Sequence, residues 1–308
     1  MSKTGEIPYS WEEIENQVRE AILAQATILG MYGPQSERAL VHAYLGVDFD
    51  AWDYQDMTEE QIASIDLSRH YVHRLARFAY HYAYQLDGMQ IDTGEAWYET
   101  RGLLAGFPRT DWQGNLSPFH PIEDAPLRRM FETFFARWSL NVERGDMSVR
   151  QLSLLANMTV PAVRTSLSKE GYKLEKRSRK EEEDEFDTGF TLEAGGALRW
   201  LSQRRGYIPN RQAAGADDRT LVIPSILDTP DIPFPEAVKR IMEFLKVTPA
   251  DISASTGRDE AWLRSLLAGQ AATCDLSTLR SLAKALSAPE PTFVGMAVTH
   301  LLAQEGAA

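Results

Sequence analysis

The most constraining feature of this sequence is a pair of short apolar repeats that meet at a tight turn, in residues 148–171. Apolar side chains recur there every three or four residues, which is the spacing of one buried face of an α-helix. Asn157 separates the two repeats, and asparagine tolerates the left-handed backbone conformation that a tight turn requires. Thr159 suits the cap of a second helix, and Gly171 suits its end. The sequence therefore predicts a helix-turn-helix whose buried face is Val149, Leu152, Leu155, Ala156, Val163 and Leu167.

This pattern resembles the helix-turn-helix of bacterial and phage repressors, although Asn157 replaces the usual turn glycine. The resemblance implies that the second helix contacts DNA with its exposed face. The predicted contact residues are Thr159, Val160, Pro161, Arg164, Thr165, Ser168 and Lys169. The alternative is a helical hairpin that binds no nucleic acid.

Local charge favours the DNA-binding interpretation. Residues 128–180 contain 12 Lys/Arg against 5 Asp/Glu, a balance of +7, whereas the whole chain carries −12. A basic segment in an acidic protein is typical of a phosphate-binding surface. We therefore expect further DNA contacts from a basic arm after the second helix and from a second arginine cluster. These residues are Lys173, Lys176, Arg177, Arg179 and Lys180 in the arm, and Arg199, Arg204, Arg205 and Arg211 in the cluster.

The arm has a second interpretation. An acidic block follows it directly at residues 181–185. A segment of such high charge is also typical of a disordered linker. Alternatively, the acidic block competes with DNA for the arm when DNA is absent.

Residues 234–289 predict paired helices around Gly257, an exit at Leu267-Ala268-Gly269 and a closing helix from Leu276 to Leu286. This pattern is similar to the lambda-repressor/Cro-like (XRE) helix-turn-helix class. Gly257 occupies the turn position, where a left-handed backbone is needed. The expected core is Ile252, Leu263, Leu266, Leu279, Leu282 and Leu286. The segment departs from the class at the start of its second helix, where Asp259 and Glu260 place two negative charges that would repel DNA. Arg258 and Arg264 are its predicted DNA contacts, and dimerisation or docking on another protein is the alternative.

The N-terminal third predicts a helical bundle. In residues 68–86 the expected buried stripe is Leu67, Tyr71, Leu75, Phe78, Tyr82 and Leu86, and the opposite face is His70, His73, Arg74, Arg77, His81 and Tyr84. That face suits contact with phosphates or an acidic partner. Two histidines three residues apart and a calcium-like acidic loop at residues 48–59 leave a metal-responsive sensor as a weaker alternative. Residues 87–124 predict an ordered irregular connection.

We therefore predict an all-α protein. The expected parts are a helical N-terminal region at 1–124, an anchoring helix and helix-turn-helix with its basic arm at 125–180, an acidic block with a basic helix and Pro-rich linker at 181–233, and a lambda-repressor-like helical domain at 234–308.

Catalysis is not expected, because no phosphate loop, dinucleotide fingerprint or GxSxG elbow occurs. Ser166 and Lys169 match SxxK, the nucleophile motif of penicillin-binding proteins, but they lie in a helix that the helix-turn-helix pattern already explains. No cofactor and no bound metal are predicted, and the single Cys274 excludes an internal disulfide. No apolar run of 18 residues and no signal-peptide pattern occur, so we expect a cytoplasmic protein without a membrane partner.

The sequence thus predicts a sequence-specific DNA-binding transcriptional regulator of bacterial or phage/mobile-element type. Its expected partners are double-stranded DNA and either a second copy of the chain or RNA polymerase. Two alternatives stay open. The first is a helical adaptor that docks on RNA polymerase or another regulator, with a minor DNA role, and the second is a ligand- or metal-responsive sensor.

Overall fold

The computed structural model describes residues 5–33, 38–47, 57–86, 93–122, 124–176, 189–210, 219–229, 232–270 and 275–305. These residues form fifteen α-helices and a small three-stranded sheet. The all-α prediction is therefore confirmed, with the sheet as a local exception. None of the described helices has both the length and the apolar character needed to span a membrane. The chain divides into two compact units.

The first unit contains Met1–Arg144, Val149–Val163 and Arg205–Gln212. Its helices are α1 (Trp11–Tyr32), α2 (Arg38–Leu45), α3 (Glu59–Ala63), α4 (Tyr71–Ala83), α5 (Thr93–Gly106), α6 (Pro126–Trp138) and α7 (Val149–Leu155), together with the first turn of α8 (Val160–Lys169). A 3-10 turn at Leu67–Arg69 precedes α4, and a π-helical turn at Ser139–Glu143 follows α6.

Helix α6 is the centre of the first unit and packs against α1, α4, α5 and α7. Its aromatic side chains explain this position, because Phe131 and Phe134 are fully buried. Phe134 makes edge-to-face contacts with Phe78 and Tyr82 of α4, with ring centroids 5.7 and 5.3 Å apart. Such contacts add about 0.5–1.5 kcal/mol to the stabilisation from buried area. Helix α7, the first helix of the first helix-turn-helix, packs against this aromatic helix.

The second unit contains Gly145–Ser148, Arg164–Arg204 and Ala213–Ala308. Its strands are β1 (Met147–Ser148), β2 (Glu175–Lys176) and β3 (Phe190–Leu192). They form an antiparallel sheet in the order β1-β3-β2. Thr191 of β3 is opposite Ser148 on one side and Glu175 on the other. The helices that follow are α9 (Ala194–Ser202), α10 (Arg219–Leu227), α11 (Phe234–Leu245), α12 (Pro249–Thr256), α13 (Glu260–Leu267), α14 (Leu276–Ala285) and α15 (Glu290–Glu305).

Helices α11–α15 enclose the core that the sequence predicted for the C-terminal segment. All six predicted core residues, from Ile252 to Leu286, are buried. Gly257 ends α12 with a φ of 67°, in the left-handed region. Thr248 begins α12 with a reciprocal capping pair to Asp251, which satisfies two backbone donors that the helix itself cannot bond.

Two segments predicted to be irregular contain helices. Helix α10 lies inside the expected Pro-rich linker, and its Val222, Ile223 and Ile226 are fully buried. Helix α5 lies within residues 87–124, for which the sequence predicted an irregular connection. In α10 the burial of apolar side chains outweighs the cost of Pro224 inside the helix.

The predicted exposure of residues 67–86, which contain α4, is reversed at three positions. Tyr71 is 47% exposed, whereas His70 and Tyr84 are buried. The physical reason is that α4 packs against α1, α5 and α6, so that more than one of its faces is covered.

Candidate nucleic-acid interface

The turn of the first helix-turn-helix has the predicted backbone geometry. Asn157 has a φ of 50°, in the left-handed region. The amide of Met158 donates to the Ser153 carbonyl at 2.9 Å, which closes the end of α7. The Thr159 hydroxyl accepts a bond from the Ala162 amide at 3.4 Å, at the start of α8. The predicted buried face is confirmed, because Val149, Leu152, Leu155, Ala156, Val163 and Leu167 are all buried.

Helix α8 leaves its predicted contact face open to solvent. Six of the seven residues are exposed, namely Thr159, Pro161, Arg164, Thr165, Ser168 and Lys169, while Val160 is half-buried. Within the described part of the chain, neither Arg164 nor Lys169 has an ion-pair partner. At 1.5 Å per residue, the ten residues of α8 form a rod about 15 Å long, which fits within the major groove of DNA.

The acidic residue at the end of α8 is neutralised from within the second unit. Arg204 donates to Glu170 from Nη2, with distances of 2.7 Å to Oε1 and 2.5 Å to Oε2. The Ser166 hydroxyl donates to Glu170 at 2.7 Å and accepts from Trp200 Nε1 at 3.2 Å. The Arg204 guanidinium also lies over the Trp200 ring, 4.6 Å from its centroid. Arg204 is therefore held by internal contacts, and its side chain is only 18% exposed.

Arg199, the second member of the predicted arginine cluster, is also engaged internally. Its Nε donates to the Tyr172 hydroxyl at 3.1 Å, and its Nη1 donates to the Thr229 hydroxyl at 3.3 Å. Tyr172 lies three residues after the end of α8, and Thr229 lies two residues after the end of α10. Arg199 therefore links these two segments of the second unit. Arg205 is exposed, whereas Arg211 lies outside the described residues.

A β-hairpin built from β2 and β3 follows α8 in the chain. Lys176 of β2 is opposite Phe190 of β3, and Phe190 is 42% exposed. Lys173 and Lys176 of the predicted arm are exposed as well. Arg177, Arg179, Lys180 and the acidic block at 181–185 lie outside the described residues. The hairpin places the exposed Phe190 opposite Lys176, and the sequence analysis did not suggest Phe190.

A buried ionic network attaches α7 to α6 within the first unit. Glu132 is 6% exposed at its side chain and accepts from Arg128 Nε at 2.9 Å and from Arg150 Nη2 at 2.6 Å. Arg150, on α7, also pairs with Asp124. Burial alone raises the pKa of the Asp124 carboxyl, but its bonds to Arg150 and Arg129 outweigh burial and lower that pKa. The network therefore fixes the first helix of the helix-turn-helix by charge as well as by apolar packing.

Gly206 makes a close backbone contact with the turn of the helix-turn-helix. A β-carbon added at this residue would lie 2.2 Å from the Ala156 carbonyl oxygen and 3.1 Å from Asn157 Cβ. Only glycine fits such an approach. The short segment after Arg205 thus supports the turn inside the first unit.

The second helix-turn-helix uses its charged residues differently. Asp259 caps α13 by accepting from the Ala261 amide at 3.1 Å, and Glu260 pairs with Arg264 at 2.6 Å. Arg258 donates to the Thr278 hydroxyl and lies 3.5 Å from Asp275. Both arginines predicted to contact DNA here, Arg258 and Arg264, are therefore paired with acidic residues of the same bundle.

The other candidate sites from the sequence are a histidine metal site, the calcium-like loop and the SxxK pattern. Across the described residues no three His, Cys, Asp or Glu side chains group as metal ligands. His70 is buried, and burial lowers the pKa of its imidazole. The calcium-like loop lies almost entirely outside the described residues. Ser166 of the SxxK pattern is already bonded to Glu170, Trp200 and Arg204.

Comparison with protein-family models, with curated proteins and with solved structures found no match to this chain.

Proposed function

We propose that this protein is a sequence-specific DNA-binding regulator that reads the major groove with α8. The observation that carries the proposal is the exposed face of α8, where Arg164, Ser168 and Lys169 point outward at helical spacing after a tight turn. Arginine recognises guanine with paired hydrogen bonds, and serine and lysine bond bases or phosphates. Recognition helices of this class contact base edges mainly with residues near their N-terminus, which favours Arg164 as the base-reading residue.

The charge distribution around α8 supports the same proposal. Between residues 160 and 176 there are four basic side chains, Arg164, Lys169, Lys173 and Lys176, against two acidic ones, Glu170 and Glu175. Arg204 neutralises Glu170, so the carboxylate at the end of α8 does not oppose a phosphate. A positive surface of this kind attracts DNA at long range and supplies affinity that does not depend on sequence.

The hairpin adds a second contact to the proposal. Lys176 and Phe190 are paired across β2 and β3, and both are exposed. Lysine binds the phosphate backbone, and an exposed aromatic side chain inserts between bases in the minor groove in some DNA-binding proteins. We infer that the hairpin contacts DNA beside the groove that receives α8.

A protein-docking role for the C-terminal bundle is the second candidate. It is favoured by exposed apolar residues on α15, where Leu302 is 62% and Val298 is 39% exposed at a spacing of four residues. This bundle is the part of the chain for which a second copy, RNA polymerase or another regulator is the expected partner. A sensor role for the N-terminal helices is the remaining alternative.

The proposal is tested by selecting sequences with the full-length protein from a random duplex library, and then measuring affinity for the selected and a scrambled duplex by fluorescence anisotropy. Arg164→Ala should lose about 1–3 kcal/mol of binding free energy on the selected duplex and little on the scrambled one. Lys173→Gln with Lys176→Gln should lower the slope of log affinity against log salt by about 1.8.

Arg264→Ala is the matched control, because it removes an exposed arginine from the second helix of the other helix-turn-helix and should leave affinity unchanged. Failure to enrich any sequence, or an Arg164→Ala protein that binds like the parent, would refute reading by α8. A loss in Arg264→Ala alone would transfer the DNA-binding role to the C-terminal bundle.

A further inference from the structure

Two arginines on α6 are equally buried but have very different surroundings. Arg128 and Arg137 are each 1% exposed. Arg128 has a full set of partners, because its Nε bonds Glu132 at 2.9 Å and its Nη1 bonds the Phe119 carbonyl at 2.5 Å. It shows how this fold compensates a buried guanidinium with a carboxylate.

Arg137 lacks such compensation. Its Nε donates to the Ala83 carbonyl at a long 3.3 Å. Its Nη1 is buried and has no hydrogen-bond acceptor, and no carboxylate pairs with the side chain within the described residues. A guanidinium does not lose its proton in a protein, so neutralisation does not relieve the cost of burial. A buried arginine without a counter-charge therefore requires a partner that the described chain does not supply.

The groups around Arg137 suit an oxygen-bearing anion. The Tyr207 ring lies against the guanidinium, with its centroid 5.3 Å from Cζ, and this contact leaves the N–H edge for another partner. The Tyr82 hydroxyl is hydrogen-bonded to Asn141, and the charge of Arg137 partly offsets the rise that burial causes in the Tyr82 pKa. Burial raises the pKa of Tyr82, so this hydroxyl stays neutral and keeps a proton to donate. All these residues belong to the first unit.

We propose that Arg137 binds a small anion through its carboxylate or phosphate group, at the N–H edge of the guanidinium that contains Nη1. The planar edge of a guanidinium forms two parallel hydrogen bonds with a pair of oxygen atoms, which carboxylate and phosphate both offer. The 1% exposure of Arg137 limits the ligand to a small molecule or to a small group on one. This proposal does not depend on DNA binding by α8.

The test measures the melting temperature of the full-length chain in increasing sodium phosphate or sodium acetate, with ionic strength kept constant by sodium chloride. Binding to the folded state alone raises the melting temperature in a saturable way. Arg137→Met should abolish the rise, and Arg137→Lys should weaken binding by at least about tenfold, because lysine keeps the charge but loses the planar edge. Arg77→Met, which removes an exposed arginine from α4, should respond like the parent.

A rise with phosphate alone identifies the phosphate group, a rise with acetate alone identifies the carboxylate, and a rise with both identifies a general oxyanion site. If Arg137→Met does not fold, Arg137→Lys and titration calorimetry of the parent decide the question. No rise with either salt overturns the proposal. An equal rise in the parent and in Arg137→Lys overturns it as well.

Discussion

Replacing Arg204 with methionine separates two roles that this arginine could have. It is either a DNA contact, as the sequence suggested, or the neutralising partner of Glu170, as its bonds indicate. Methionine keeps much of the apolar stem over Trp200 but removes both bonds to Glu170, at 2.7 and 2.5 Å. The side chains of Arg204 and Glu170 are 18% and 31% exposed, so their ion pair is intermediate between an exposed and a buried one. We therefore expect Arg204→Met to cost about 1–2 kcal/mol of unfolding free energy.

The effect on DNA follows from the charge that is left behind. In Arg204→Met the Glu170 carboxylate stays at the end of α8 without its counter-charge. A unit charge about 6 Å from a phosphate in water contributes roughly 0.7 kcal/mol of repulsion, which corresponds to about a threefold loss of affinity. Adding Glu170→Gln removes that carboxylate, so the double variant should bind the selected duplex like the parent.

The assay is fluorescence anisotropy at two salt concentrations for the parent, both single variants and the double variant. Restoration by Glu170→Gln supports a neutralising role for Arg204. If the double variant stays weak and its salt slope is lower by about 0.9, Arg204 is itself a phosphate contact. That result would refute the reasoning from its internal bonds and support the prediction from sequence.

Three further predictions concern stability. Glu132→Gln should lower the free energy of unfolding, measured by urea denaturation, by about 3 kcal/mol, because it leaves Arg128 and Arg150 without their shared buried carboxylate. Exposed Glu12→Gln is the control, and equal losses in the two variants would contradict the network. Gly206→Ala should lower the free energy of unfolding by about 1–3 kcal/mol, since its β-carbon would lie 2.2 Å from the Ala156 carbonyl. Gly102→Ala on helix α5 is the control; a β-carbon there would have nothing within 4 Å, so this change should be neutral or stabilising. Hydrogen bonds from the Ser277 hydroxyl and the Thr278 amide lower the pKa of Asp275 from 3.8 to about 2. Its stabilising effect should therefore be complete above pH 3.8 and disappear as the pH falls to about 2; an NMR titration midpoint near 4 would contradict this.

The helix-turn-helix was predictable because its signals are local. The six buried residues recur at helical spacing, and Asn157 occupies the one position with a left-handed backbone between the helices. The C-terminal core was predictable for the same reason, with Gly257 at the corresponding turn. The periodicity and the turn residue are contained in 19 consecutive residues in the first case and in 35 in the second.

The hairpin was not predictable from such signals. Its strands are two and three residues long, too short to show the alternation that identifies a strand. What holds β3 is its pairing with β1, more than forty positions earlier in the chain. Helix α10 was missed for a different reason. Five prolines indicated a linker, namely Pro209, Pro224, Pro230, Pro233 and Pro235, whereas the burial of α10 against α9 depends on tertiary packing.

The hydrogen-bond and ion-pair partners of individual charged residues could not be predicted from the sequence either. Four arginines were predicted to contact DNA, but each already has a hydrogen-bond or ion-pair partner that no sequence pattern indicated: Arg199, Arg204, Arg258 and Arg264. The contacts of Arg199, Arg204 and Arg258 join residues 17 to 34 positions apart. Arg264, by contrast, pairs with Glu260 one helical turn away. Counting basic residues thus indicates where a positive surface lies, but tertiary structure decides which of them remain available.

The two helix-turn-helices place their acidic residues at opposite ends of the second helix, and this difference bears on their roles. Asp259 and Glu260 lie at the N-terminus of α13, where negative charge is stabilised by the helix dipole and by free backbone amides. Those amides are the donors that a DNA phosphate would otherwise use. Glu170 follows the C-terminus of α8, away from that end, and Arg204 neutralises it. The first turn of α8 carries no acidic residue, whereas that of α13 carries its own carboxylates, and we expect DNA to bind at α8.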